Sequence, residues 1–408
     1  MRSRPKVTRR APRWSELRPL LRQGAYERNA RLRRLSHAAS ISDLRSIARR
    51  RTPRSVFDYV DGAAESEVAL ARARRTFANV EFLPTVLRDV SEVDTSTTLL
   101  GTPSSLPLIF APTGFTRMMH HEGEPSVARA AEGLGIPYTL SSMGTTSPEG
   151  VASAAPSGAR WFQLYVWRDR EAIEQLLARA ARSGFSTLML TVDTPVPGAR
   201  LRDVRNGLTI PPSLTLKTLA DMALHPAWWI NLLTTEPLSF ASFSSYDGTV
   251  AELVSEMFDP SLKSDDLKML REMWSGPLVV KGIQTVDDAR AVVDLGADAV
   301  VLSNHGGRQL DRSPTPLDQL PAVVDAIGDR AEVYIDGGIL SGADVVAAVA
   351  LGAKAALVGR AYLYGLMAGG QEGVQRAGEI LQSDIVRTIQ LLGVTSLDEL
   401  SPDRVRIR

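Results

Sequence analysis

Eight short apolar runs punctuate this chain: Leu106–Ala111, Tyr138–Ser142, Trp161–Val166, Thr187–Asp193, Leu278–Ile283, Ala299–His305, Glu332–Gly338 and Ala355–Arg360. Between most of them lie Ala-rich helical stretches, among them Glu124–Leu134, Arg170–Ser183, Val286–Leu295 and Ala343–Leu351. A strand that is apolar on both faces belongs in a parallel sheet covered by helices. Eight strand–helix alternations predict an α/β protein built as a closed (β/α)8 TIM barrel rather than an open doubly wound sheet. A chain of 408 residues accommodates such a barrel as one domain.

One spacing breaks the rhythm. The stretch between the fourth run, ending at Asp193, and the fifth, starting at Leu278, is far longer than a crossover helix needs. Residues 194–277 therefore read as an insertion on the face where barrels carry their active sites. It contains Trp228, Trp229, Ile230, Leu232 and Leu233, followed by Phe240, Phe243 and Tyr246. Ahead of the barrel, Ser42 is placed to cap a helix over Asp43–Arg50, and a second helix follows Pro53 through Tyr59, giving an N-terminal helical segment. The expected organisation is a basic arm (1–40), a barrel domain (41–400) and a short tail (401–408).

Charge and cysteine content narrow the function classes. Residues 1–35 carry twelve Arg and Lys against Glu16 and Glu27, a pattern expected of a solvated arm, with an anionic membrane surface or a partner subunit as the sharper readings. No aromatic–basic pattern follows the arm, so nucleic acid is not an expected partner. The absence of cysteine excludes disulfides, thiolate metal sites and cysteine nucleophiles, and no metal site is expected. A reducing cytoplasm fits that composition. No run of about 20 apolar residues is present, and the N-terminus has charges where a secretory apolar region would stand, so the expected location is cytoplasmic or peripheral on the inner membrane face.

The ends of the apolar runs carry the chemistry. Side chains at the C-terminal ends of barrel strands converge on one mouth, which brings together Pro112, Thr113 and Gly114, Ser141, Gln163 and Tyr165, Thr191 and Asp193, Lys281, His305 and Arg308, Asp336 to Gly338, and Gly359 with Arg360. His305 can take a proton, and Arg308 can fork onto a carboxylate. The Gly-bearing turns after runs seven and eight resemble phosphate sites built from backbone N–H groups, so a phosphorylated cofactor or substrate is implied. Lys281 leaves a buried strand where an unpaired ammonium is costly, so it should face an electron-rich group such as the N1/O2 edge of a reduced flavin. A Schiff-base role is the competing reading of Lys281, and it leaves His305 and Arg308 without a purpose.

Five segments together resemble the FMN-dependent α-hydroxy acid dehydrogenase and oxidase family: Ala111-Pro112-Thr113-Gly114, Trp161–Tyr165, Leu190–Pro195, Ser303–Asp311 and Ile335–Gly338. The likeness runs from about Ile41 to Leu400 and is greatest to the actinobacterial type of quinone-linked L-lactate dehydrogenase. It implies FMN as cofactor and oxidation of a small (S)-2-hydroxy acid, L-lactate to pyruvate foremost, with a quinone, a cytochrome or oxygen as acceptor. It further implies His305 as the base with Asp193 as its partner, and Arg308 and Arg200 as carboxylate ligands. Tyr59 and Tyr165 become hydrogen-bond donors to substrate. Pro112, Thr113, Gly114, Ser141, Gln163, Thr191, Lys281 and Ser303 fall to the flavin ring, and Asp336, Gly337, Gly338, Gly359 and Arg360 to its phosphate end. A homo-oligomer, a tetramer in the family, is the expected assembly.

Two departures from the family pattern matter. Ile339-Leu340-Ser341 stand where an Arg often follows the Asp-Gly-Gly turn, so Arg360 is expected to carry more of the phosphate charge. Met143 stands where glycolate oxidase-like members have a Trp, which implies an adaptable pocket for a small substrate. An oxygen-dependent 2-hydroxy acid oxidase is the nearest alternative. A flavin-dependent isoprenoid diphosphate isomerase would leave the arginine pair unused, and a non-catalytic flavin subunit would be expected to lack one of the catalytic residues.

Overall fold

The computed structural model describes residues 10–20, 27–207, 221–243 and 258–408. Eight parallel strands close into a barrel: β1 (Leu108–Phe110), β2 (Tyr138–Ser141), β3 (Arg160–Leu164), β4 (Thr187–Thr191), β5 (Leu278–Ile283), β6 (Ala299–Leu302), β7 (Glu332–Ile335) and β8 (Ala355–Val358). Each pairs with its sequence neighbours, and β8 returns to β1 through Val358 opposite Phe110. All eight expected strands are present. Most stop two or three residues short of the apolar run, because the polar residues at the run's end have left the ladder and entered the mouth.

The strands are apolar on both faces because the barrel has two cores. Ile109, Trp161, Met189, Val279, Val301, Tyr334 and Leu357 fill its interior, while alternate residues such as Leu108, Phe162, Leu188 and Val300 pack outward on the helices. A hairpin of Thr97–Leu99 and Thr102–Ser104 plugs the lower end, where Leu99 joins the interior core and the Leu100 N–H donates to Glu332 at the start of β7. The upper end stays open for chemistry.

In chain order the helices that position the site are α1 (Ile41–Arg51), α2 (Arg54–Asp61), α3 (Val68–Ala78), α4 (Gly123–Leu134), α5 (Pro148–Ala154), α6 (Arg170–Arg182), α7 (Leu201–Asn206), α8 (Pro226–Leu233), α9 (Ser264–Met273), α10 (Val286–Asp294), α11 (Pro316–Ile327), α12 (Gly342–Ala350) and α13 (Arg360–Leu392). The cap of α1 is Ser40, not Ser42: its Oγ accepts from Asp43 N–H, and the Asp43 carboxylate accepts from Ser40 N–H. The basic arm is not wholly solvated. In its last ten residues Leu35 and Ala38 are buried, and Arg31 pairs with Glu122 and Glu372. Residues Val405–Ile407 of the tail pair with Val80–Phe82.

Candidate active site

The loops above the strand ends enclose a cavity of about 400 Å³. His305 reaches it from the turn after β6. Asn304 Oδ1 accepts the Gly307 N–H at 3.1 Å, and residues 305 to 307 all take positive φ. Gly307 must be glycine, because a Cβ there would lie 2.9 Å from the Leu70 backbone nitrogen. His305 Nδ1 lies 3.0 Å from Asp193 Oδ1, just beyond β4. Burial raises the Asp193 carboxyl, but His305 and then Lys281 outweigh it and hold Asp193 below the usual carboxylate range. An ionised Asp193 fixes Nδ1 as the protonated nitrogen and leaves Nε2 free to accept a proton.

Two arginines share one aromatic ring. The guanidinium carbons of Arg308 and Arg200 lie 4.8 and 5.0 Å from the centre of Tyr59. Burial and the neighbouring Arg200 push Arg308 down to about 10, the mark of a cation short of counter-charge. Burial raises the Tyr165 phenol, so Tyr165 stays a hydrogen-bond donor. The carbonyls at the end of α2 orient the arginines: Tyr59 O accepts from Arg308, while Val60 O and Gly62 O accept from Arg360 at 2.9 and 2.7 Å. A helix C-terminus has unpaired carbonyls and a negative dipole end, so cations settle there.

The other side of the cavity is lined by Pro112, Thr113, Gly114, Ser141, Met143, Lys281, the Asp336–Gly338 turn and Gly359. Gln163, Thr191 and Ser303 stand behind that lining. Gln163 accepts from Ser141 Oγ at 2.7 Å and donates to Thr191 Oγ1 at 3.0 Å, and Lys281 Nζ donates to Ser303 Oγ at 3.0 Å. Lys281 is not an unpaired ammonium, for Asp336 Oδ2 lies 3.1 Å away. Burial disfavours its charge, but Asp336 and Asp193 prevail and hold its pKa above the ordinary value, which works against the free amine a Schiff base requires. Arg360, expected at the phosphate end of the cofactor, lines the same cavity. Its Nε, Nη1 and Nη2 all donate to backbone carbonyls, of Val60, Gly306 and Gly62. A cation near the Asp336–Gly338 turn that sequence reading missed is Arg74, which enters from α3, lines the cavity, donates to Gly338 O and pairs with Asp344 at 2.8 Å.

A family profile described as FMN-dependent dehydrogenase matches residues 48–407. The chain belongs to that family. A Mycobacterium tuberculosis protein named as an L-lactate dehydrogenase is 57% identical over 98% of this chain and 96% of its own length. The L-lactate dehydrogenase of Caulobacter vibrioides is 44% identical, over 89% and 96%. Among solved structures, the monotopic membrane protein (S)-mandelate dehydrogenase superposes with a TM-score of 0.88 at 38% identity, covering 91% of this chain and 100% of that one. A mandelate oxidase superposes at 0.77 and 35% identity, over 91% and 99%.

The residues present in this FMN-dependent dehydrogenase fit its cofactor. Lys281 is a buried, charged donor in the cavity wall, Asp336 Oδ1 is buried without a partner among the described residues, and a Cβ on Gly359 would meet nothing closer than 3.8 Å. The insertion lies beside the same mouth. Trp228 Nε1 donates to Met118 O at 3.0 Å, and Phe240 is buried edge-on against Phe115. Leu224, Ile230 and Leu233 remain exposed, at 78, 46 and 70%. Tyr246 lies outside the described residues. No helix among the described residues is long and apolar enough to cross a membrane.

Proposed function

We propose that this enzyme oxidises an (S)-2-hydroxy acid to the 2-oxo acid, with L-lactate as the preferred substrate, and passes the electrons to a quinone. The observation that carries the reading is the pairing of an imidazole backed by a carboxylate with two arginines around one tyrosine ring, all opening on one cavity. Arg308 and Arg200 hold the substrate carboxylate, and the uncompensated charge of Arg308 makes an uncharged analogue a poor ligand. Tyr59 and Tyr165 donate to substrate oxygens. His305 accepts at Nε2 a proton that the substrate loses, and Asp193 stabilises the resulting imidazolium. Bound FMN supplies the two-electron acceptor. Ser141, Gln163, Thr191 and Ser303 fix the polar wall on its ring side, Lys281 supplies a positive charge there, and the turns at Gly337–Gly338 and Gly359 take its phosphate.

The high identity to proteins named L-lactate dehydrogenase supports lactate over mandelate, and Met143 at the cavity wall fits a small side chain. The exposed apolar side chains of the insertion, together with the arginines of the N-terminal arm, support attachment to an anionic membrane face where quinone resides. The test is steady-state turnover on lactate, glycolate, mandelate and longer 2-hydroxy acids, with oxygen and a soluble quinone compared. Highest kcat/KM on lactate with quinone is the expected result. Rapid peroxide formation with negligible quinone reduction would make the enzyme an oxidase instead.

A further inference from the structure

Among the side chains that line the cavity without a part in the roles above are Arg45, Asp61, Arg202 and Tyr364. They meet at the buried carboxylate of Asp61, in the last turn of α2. It accepts from Arg45 Nε and Nη2 at 2.5 and 2.8 Å, from Arg202 Nη1 at 3.0 Å and from the Tyr364 hydroxyl at 2.8 Å. The second terminal nitrogen of Arg202 pairs with Glu67, and Asn206, one turn along α7, donates to Asp58 Oδ2 at 2.8 Å. Gly62 leaves room for the Arg202 stem, since a Cβ there would lie 3.1 Å from Arg202 Cδ. The whole of α7 is thereby clipped onto α2.

The residue just ahead of α7 is Arg200, and the residue on α2 that it covers is Tyr59. Among the described residues Arg200 has one ion-pair partner, Asp203, on the helix it precedes. Nothing in that local pair decides where the loop after β4 stands relative to the cavity. Most of the tie between the two helices is made by Arg202, whose partners Asp58 and Asp61 lie on α2 and whose partner Glu67 lies just ahead of α3, with the Asn206–Asp58 bond beside it.

We propose that Arg202 is a positioning residue: by anchoring to Asp61 and Glu67 it latches the segment after β4 over the site and so places Arg200 for the substrate carboxylate. The inference rests on the carboxylate-binding reading of Arg200 above. Arg202 works through Arg200, so its loss weakens binding of the acid and has no effect where Arg200 is already gone.

The test is a double-mutant cycle on the FMN-loaded protein, with oxalate, a carboxylate ligand that is not oxidised, titrated by the change in flavin absorbance. Arg202→Met is expected to raise the oxalate Kd by about tenfold, the size of one charged hydrogen bond, and Arg202→Lys to recover part of it. In an Arg200→Ala background Arg202→Met should add nothing. Trypsin should also cut after Arg205 faster in Arg202→Met. Should Arg202→Met fold poorly, Glu67→Gln removes one anchor at constant volume and should raise the Kd by about threefold, again only while Arg200 is present. An unchanged Kd in Arg202→Met, or losses that multiply across the two sites, overturns the latch alone. An unchanged Kd in Arg200→Ala overturns the carboxylate reading, and the latch with it.

Discussion

His305 Nδ1 and Asp193 Oδ1 stand 3.0 Å apart although 112 residues separate them in the chain. The pair joins the loop after β6 to the loop after β4, and the second carboxylate oxygen of Asp193 is buried without a partner among the described residues. His305→Gln should keep its flavin and reduce it more slowly by about 10²–10⁴, the usual share of a general base. Asp193→Asn should cost somewhat less. Anaerobic stopped-flow with lactate reads both, and a normal rate in His305→Gln would remove that residue as the base.

Arg308 should not tolerate lysine. Its guanidinium binds the Tyr59 carbonyl and stacks on the Tyr59 ring, and an ammonium can neither stack in that way nor fork onto a carboxylate. Arg308→Lys should raise KM for lactate by about tenfold or more. Unchanged catalytic efficiency would take Arg308 out of the carboxylate site.

Arg74 should compensate at the phosphate end for the missing arginine after the Asp-Gly-Gly turn. Arg74→Met should weaken FMN retention by about tenfold on dilution, while affinity for riboflavin, which has no phosphate, stays unchanged. Equal losses for both flavins would show that Arg74 only supports the fold.

Asp61 makes a pH-dependent contribution to stability. Burial raises its carboxyl, but Arg45, Tyr364 and Arg202 outweigh that and hold it below the usual carboxylate range. A folded-state pKa below the unfolded one stabilises above the unfolded pKa, and that contribution is lost as pH falls through the folded pKa. Asp61→Asn should therefore unfold at lower urea than wild type at pH 7, and the gap should narrow below about pH 4. A gap independent of pH would point to lost packing instead.

Membrane attachment should follow the exposed residues of the insertion. Replacing Leu224, Ile230 and Leu233 together by Ser should reduce binding to anionic vesicles, and added salt should weaken what remains by screening the arginines of the arm. Salt-insensitive absence of the unaltered protein from such vesicles would remove the membrane role and leave the hydroxy acid chemistry intact.

The barrel and most of its mouth were legible in the amino-acid sequence because both are local properties. A buried parallel strand is written as a short apolar run, and the residues that end the run, such as Asp193, Lys281 and His305, are carried to the same rim by closure of the barrel. What the sequence could not disclose was how the charges pair, since the energy of a pair depends on distance in space and on burial. Lys281 was expected to face an electron-rich group, but its pairing with Asp336 was not written locally; nor were the three carbonyls that hold Arg360, or the places of Arg74, Asp61 and Arg202. Those pairings were decided when α2, α3 and α7 packed onto the mouth, because only the folded chain brings their carbonyls, carboxylates and cations within hydrogen-bond reach.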